Sequence, residues 1–324
     1  MLRYTLSPWQ KYYYKNHHMI SVYRHKNLPQ CRMGSNMYRF VIIKKRTALL
    51  CLLLVCVIFL GGVYTLISFA AEADKEQKLR LPIIMYHSIL KNPSSSGKYV
   101  VSPQTFENDI KYLKDNGYTT ILSDELINYV KNDAPLPERC VMITFDDGYL
   151  NNLTYVVPIL EKYDMKAIIS VVGEYTERFS AEEDHNPSYS HFSWEDINEC
   201  IKSDRIEIGN HTYNMHKQGE RRGAMKKRGE SDEEYKKILS HDILKTQNLL
   251  SEHCGVVPNV FTYPYGAVSN ASVDIIKELG FKMSLGCCEK VNEIGHDENE
   301  LYLLCRFNRP SGITTEQFMR KIIE

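Results

Sequence analysis

Asp146 and Asp147 stand side by side at the end of a short apolar run, Cys140-Val141-Met142-Ile143-Thr144-Phe145, and are followed by Gly148-Tyr149. Adjacent carboxylates repel, so they call for a cation, a shared proton or hydrogen-bond donors. His211 and His216 follow a second strand-like run, Arg205-Ile206-Glu207-Ile208. One Asp and two His make a three-ligand metal site with room left for water and substrate, and the other Asp is then free to act as a base. An Asp after a strand is also a common cap, and Asp-Gly an ordinary turn signal. The His pair at a second strand end turns the reading toward a metal site. Its i, i+5 spacing puts the two rings about 140° apart on a helix and on opposite faces of a strand. They therefore require a curved loop or a loop-to-helix junction.

The elements that must position these residues alternate in type. Pro82 to Tyr86, Tyr118 to Leu122, Cys140 to Phe145, Ala167 to Val172, Ile206 to Gly209, Asn259 to Tyr263 and Phe281 to Leu285 read as strands, with Leu303 to Phe307 the last. Helical patterns separate them: Pro103 to Asp115, Asp124 to Lys131 behind the cap Ser123, and Asn151 to Tyr163. Further helices run from Trp194 to Ile201 behind Ser193, from Ser231 to about His253 with Glu234 completing a capping box, and from Ser269 to Leu279. Strands alternating with helices predict an α/β fold with a parallel sheet or barrel. In such folds the active site lies at the C-terminal ends of the strands, where the Asp and His pairs stand. The basic run Lys217 to Arg228 reads as an exposed loop; steering of an acidic polymer is the other use of such a run.

Here the residues carry a resemblance. Thr144-Phe145-Asp146-Asp147-Gly148 and His211-Thr212 through His216 resemble the first two motifs of the polysaccharide deacetylases (carbohydrate esterase family four, the NodB homology domain). Phe261-Thr262-Tyr263-Pro264-Tyr265-Gly266 is similar to the third motif. The resemblance runs from about Leu81 to the C-terminus. It implies a distorted, incomplete (β/α) barrel whose Asp147, His211 and His216 hold a divalent ion: Zn2+ first, with Co2+ or Ni2+ as substitutes. It makes Asp146 the base that activates the attacking water, and Tyr149, Tyr263, Pro264 and Tyr265 substrate-binding. Trp194 has two readings, a sugar-stacking face or a core residue opening its helix. Thr262 stands where the family usually has an Arg, no Leu-x-x-His lies near the C-terminus, and the His spacing is five instead of four. These departures resemble the branch that includes poly-N-acetylglucosamine deacetylases, in which the acid His lies near the start of the domain. His87, in Met85-Tyr86-His87-Ser88, fills that place, and Arg306 is positioned to replace the missing Arg.

The remainder of the chain bears on location. Residues 47–71 contain no charged side chain and exceed the roughly 20 residues needed to cross a bilayer. The residues before Thr47 hold ten of the 40 Lys and Arg and no acid, which leaves 30 cations against 40 acids beyond them, a net charge of −10. That excess disfavours nucleic acid as a ligand. Lys44-Lys45-Arg46 abut the apolar run, and positive flanks stay in the cytoplasm. A cleaved signal peptide is the competing account, but its apolar region is shorter, about 7–15 residues. The expected organisation is a basic cytoplasmic tail (1–46), a single transmembrane helix (47–71), a stalk (72–80) and an outward-facing catalytic domain (81–324) at the plasma membrane. The expected activity is removal of N-acetyl groups from a cell-envelope or extracellular glycan containing N-acetylglucosamine. The rivals are a silent glycan-binding barrel, an O-acetyl esterase with the same metal site, and a tethered structural or signalling protein. The cysteines show no C-x-x-C spacing beyond the membrane segment, and their pairing is not readable from sequence.

Overall fold

The computed structural model describes residues 31–33, 36–38, 45–76, 78–92, 96–182 and 184–323. Most of the basic tail expected at 1–46 lies outside the described residues. The chain divides into two units, 1–76 and 77–324. In the first, Cys31–Met33 and Asn36–Tyr38 pair antiparallel, and one helix runs Lys45–Glu76. Within it Arg46–Ser68 is long and apolar enough to cross a membrane, with a mean hydropathy of 2.7. The helix continues into the polar segment expected as a stalk, through Glu76.

The second unit is built on seven parallel strands: β1 (Ile83–Tyr86), β2 (Cys140–Phe145), β3 (Ala167–Val171), β4 (Ile206–Asn210), β5 (Val260–Thr262), β6 (Met283–Leu285) and β7 (Phe307–Asn308). Their order across the sheet is β6-β5-β4-β3-β2-β1-β7, and every pairing is parallel. The sheet curls until the segment entering β7 reaches back to β6. Leu304 bridges Leu285, and Phe307 then pairs with Ile84 of β1. One short segment thus spans the gap between first and last strands, leaving an incomplete (β/α) barrel.

The alternation of side chains along β2 explains why all six of its residues are buried. Val141, Ile143 and Phe145 pack outward with Phe106, Ile110, Leu113, Val157 and Leu160 from the surrounding helices. Cys140 and Met142 pack with Ile83, Ile168, Val260, Met283 and Leu285. The same alternation carries the second set upward to Thr144 and then to Asp146. The barrel core turns polar along that line: Ser170 and Thr262 share a hydroxyl–hydroxyl hydrogen bond of 2.7 Å, and Arg306 is fully buried.

Several local expectations are refined. The strand expected at Tyr118–Leu122 is only Thr119–Thr120, paired beside β2. Ser123 is the first residue of the helix Ser123–Asn132 and not its cap; its hydroxyl and N–H are both taken by the Glu207 carboxylate. Ser193 and Ser231 do cap their helices, each with a capping box. The helices Gly173–Ala181 and Thr315–Ile323 escaped the sequence reading, as did the edge pair Leu79–Leu81 with Asn292–Ile294. A disulfide joins Cys288 to Cys305.

Candidate metal centre and active-site cleft

Residues just beyond the C-terminal ends of the strands converge on one cleft of about 390 Å³. His87 comes from β1, Asp146, Asp147 and Tyr149 from β2, His211 and His216 from β4, Tyr265 from β5 and Cys287 from β6. The backbone at these ends is sharply turned. Asp147 and Gly148 take φ of 74° and 63°. A Cβ on Gly148 would lie 2.9 Å from Val171 Cγ1, so the turn presenting the Asp pair requires glycine. Thr212 adopts φ 72°, costly for a β-branched residue. Its N–H donates to Asn210 Oδ1 at 2.8 Å and its carbonyl accepts from Gly173 N–H at 3.0 Å. Both His residues thus sit on a loop, as their spacing requires.

Asp147 Oδ1 lies 3.1 Å from His216 Nε2 and 3.5 Å from His211 Nε2, and one ligand atom from each of the three fits within a 4.8 Å span. His211 Nδ1 is 2.8 Å from the Thr262 carbonyl. That bond places the proton on Nδ1 and leaves Nε2 as the lone-pair donor, the usual support of a metal-ligating imidazole. Asp147 Oδ1 is buried with no hydrogen-bond partner, and such an atom is costly unless a cation meets it. A carboxylate oxygen and two imidazole nitrogens around one point fit a divalent ion such as Zn2+. Burial pushes the Asp147 carboxyl up to about 6 and His211 down to about 3; it also lowers His216. Two neutral imidazoles are what metal ligation needs.

Asp146 faces a different environment. Arg306 Nη1 and Nη2 donate to its two oxygens at 2.6 and 2.9 Å, while Arg306 Nε donates to the Gly286 carbonyl at 2.8 Å. Both partners are buried. Burial alone would raise the Asp146 carboxyl, but Arg306 and His211 outweigh it and hold the group well below the usual carboxylate range. Thr262, at the position where an Arg was missed, instead uses its carbonyl to orient His211. His87 lines the cleft with its ring 4.6 Å from that of Tyr99, and its Nδ1 is buried without a partner. Burial lowers its pKa, with Asp146 and Asp147 pulling the other way.

Three expected contacts are not brought to the cleft. Trp194 is buried against His253, rings stacked at 4.7 Å, in the core under its helix. Tyr263 is fully buried against Phe261, and Pro264 is buried below the loop that carries Gly223. Alternation explains the result: on this segment only Tyr265, thrown out by φ 57°, reaches the cleft, where its hydroxyl lies 3.3 Å from His216 Nδ1. His191 was missed. Its Nδ1 is 2.8 Å from the Asp147 carbonyl, and its ring stacks on Tyr149 at 4.5 Å, bracing the Asp147 turn. No local motif announces it.

A family model described as polysaccharide deacetylase matches residues 133–284. The poly-beta-1,6-N-acetyl-D-glucosamine N-deacetylase of Escherichia coli (strain K12) is 26% identical over 219 residues, covering 62% of this chain and 33% of the relative. The chain thus spans about a third of that protein's length. YxkH of Bacillus subtilis (strain 168) is 29% identical over 249 residues, 77% of this chain and 78% of its own. Among solved structures, a de-N-acetylase from Aggregatibacter actinomycetemcomitans shares the fold at a TM-score of 0.65, with 22% identity over 75% of this chain and all of that one. Motifs, barrel and matches agree: residues 133–284 match the polysaccharide deacetylase model, and the chain is similar over most of its outer part to the poly-N-acetylglucosamine deacetylases.

Proposed function

We propose that this protein is a membrane-anchored, divalent-metal-dependent N-deacetylase acting outside the cell on a polysaccharide that contains N-acetylglucosamine. The observation that carries the reading is the pairing of two unlike carboxylates in one cleft. Asp146 is clamped by a buried Arg306, and Asp147 is grouped with two imidazoles. A divalent ion held by Asp147, His211 and His216 would supply Lewis-acid polarisation of the acetamide carbonyl and of the attacking water. Asp146, kept ionised by Arg306, takes a proton from that water as it adds to the carbonyl carbon. Arg306 fixes which face of the Asp146 carboxylate is left for the proton. His87 delivers a proton to the departing amine as the C–N bond breaks, giving acetate and a free amino sugar. Tyr265 and Tyr149 line the cleft where the sugar must lie.

Relatives that carry the same name for their activity support the substrate class. Residues 47–71 would be the anchor and 81–324 the catalytic domain. The silent-barrel reading loses ground because base, base partner and three ligands all converge. An O-acetyl esterase would use the same centre. The experiment is acetate release by the full-length protein in detergent from N-acetylglucosamine oligomers and from an O-acetylated glycan, chelated and then reloaded with Zn2+ or Co2+. Metal-dependent release from the N-acetyl oligomers, lost in Asp146→Asn, is expected. Release only from the O-acetylated glycan would convert the reading to an esterase; tight binding with no release would make it a silent barrel.

A further inference from the structure

Two cations line the cleft without serving its centre. Lys98 and Arg222 are both exposed, and among the described residues neither has an acidic partner. The other charged lining residue, Glu289, is tied to Lys321 at 2.5 Å. Asp146 is bound by Arg306, Asp147 is grouped with the His pair at the candidate metal centre, and among the described residues no acid of the cleft forms an ion pair with either cation. His87, Tyr149, Tyr265 and Cys287 complete the titratable lining; burial favours the neutral form of each.

The placement of both cations is built into the backbone. Within the basic run 217–228, Arg221 is spent on Glu230, Lys226 on Asp232 and Lys227 on Glu220. Arg222 alone of the run's cations lines the cleft. The next residue, Gly223, takes φ 53°, and a Cβ there would lie 2.6 Å from the Pro264 carbonyl oxygen. Ala224 is buried, and its carbonyl accepts from Tyr235 Oη at 2.6 Å. The loop is thereby pressed against the third motif with Arg222 at its edge. Lys98 is held likewise: its carbonyl accepts from Asn308 Nδ2 at 2.8 Å, and the Gly97 carbonyl accepts from Ser311 N–H at 3.0 Å. Its Nζ lies 5.1 Å from the centre of the Tyr99 ring, the ring that packs on His87. These are exposed cations on anchored backbone at the mouth of a cleft, in a part of the chain whose net charge is −10. A local field opposite in sign to the net charge selects ligands by charge.

We infer that Lys98 and Arg222 receive an anionic substituent, a carboxylate or a phosphodiester, on a sugar neighbouring the acetamide-bearing one. The substrate is thus an acidic N-acetylhexosamine glycan in preference to a neutral homopolymer. The inference rests on the deacetylase reading for the identity of the reacting sugar, but the charge preference can be read from binding alone. Three probes separate the cases: a neutral N-acetylglucosamine hexamer, a tetrasaccharide of alternating N-acetylglucosamine and N-acetylmuramic acid, and an N-acetylhexosamine oligomer joined through phosphodiesters. Each is titrated calorimetrically into the chelator-treated full-length protein in detergent, and each is assayed for acetate release after metal loading.

At least one acidic probe is expected to bind about tenfold tighter than the neutral one at low salt, approaching parity near 1 M salt, where screening is nearly complete. Arg222→Glu and Lys98→Glu should each reverse or abolish that preference through KM, with kcat on the acidic probe changed far less. Lys227→Glu, a charge change outside the cleft, should keep the preference. The proposal is overturned if acidic and neutral probes bind alike, or if the two cleft variants leave the ratio within twofold of the parent. An acidic preference that Arg222→Glu removes, with no acetate released from any probe, would uphold the charge assignment while sinking the deacetylase reading.

Discussion

Arg306 does its work by shape as much as by charge. Its two Nη atoms meet both oxygens of Asp146 while Nε is spent on the Gly286 carbonyl, a fork that an ammonium cannot copy. Arg306→Lys should therefore cut kcat by tenfold or more, on the order of 1.4 kcal/mol of lost positioning, with KM changed little; steady-state kinetics on the hexamer decides it. Arg306→Met should do worse, since breaking a buried pair costs about 3–5 kcal/mol of stability, visible as a lower thermal midpoint. For His87 the sign follows from the role proposed for it. An acid works only while protonated, and burial lowers its pKa, so activity should fall as pH rises through that lowered value. His87→Gln should lose roughly 10²–10⁴ in kcat, and its residual rate should no longer show that alkaline fall; an unchanged pH profile would remove His87 from the reaction. At this scale the sequence was informative where chemistry demands residue type. Asp146, Asp147, His211 and His216 stand in one cleft because a strand end followed by a sharp turn can only present them there. It left the role open where burial decides: Tyr263 and Trp194 are aromatic in either role, and only the side of the chain they face separates a sugar platform from core packing. His191 was illegible because its partner is a backbone carbonyl 44 residues away, and a carbonyl has no sequence signature.

The closing segment is the element on which the site depends. It contributes one bridge to β6 and a two-residue strand to β1, few backbone hydrogen bonds for a piece of chain that must hold a buried guanidinium. The Cys288–Cys305 disulfide, closing 17 residues of sequence, sits directly beside Arg306 and compensates. A loop of that length is worth about 3 kcal/mol through lost chain entropy. Cys288→Ser with Cys305→Ser should lower the thermal midpoint by several degrees and reduce kcat, because the constraint on Arg306 is lost with the bond. Retained kcat in that variant would show that strand pairing suffices. Turn chemistry at β2 makes a second, independent prediction. Gly148→Ala meets both a φ of 63° and Val171 at 2.9 Å, so it should cost more than about 1 kcal/mol and weaken metal binding by displacing Asp147, measured by Zn2+ titration. Most elements were readable for a physical reason: parallel strands buried on both faces are short apolar runs, and Ser193 and Ser231 announce their helices through reciprocal caps. The last strand, expected at Leu303 to Phe307, is Phe307–Asn308, because Arg306 and Asn308 beside and within it break the apolar pattern that marks the others. Helix Gly173–Ala181 was hidden by its opening glycine, which the packing requires: a Cβ there would lie 2.6 Å from Thr246 Oγ1.

For the whole molecule, the proposed anchor decides which side of a membrane the cleft faces. The span Arg46–Ser68 follows a segment holding nine cations and no acid, and the region beyond it is acidic. The basic flank favours retention of the N-terminus in the cytoplasm. A signal peptide would leave a free domain, whereas an anchor leaves the domain tethered; the two differ in what washes off. The full-length protein should stay with membranes through alkaline carbonate and through 1 M salt, which screens surface electrostatics to about 3 Å but does not touch a buried apolar helix. Protease added to intact cells should digest the acidic part and spare a fragment containing the basic residues before Thr47. Release of the whole catalytic part into the medium would establish cleavage; protection of the acidic part would reverse the topology. The second outcome would also remove the deacetylase from its substrate, since a polymer of N-acetylated sugars outside the cell meets this cleft only if Asp146 and the His pair lie on that side.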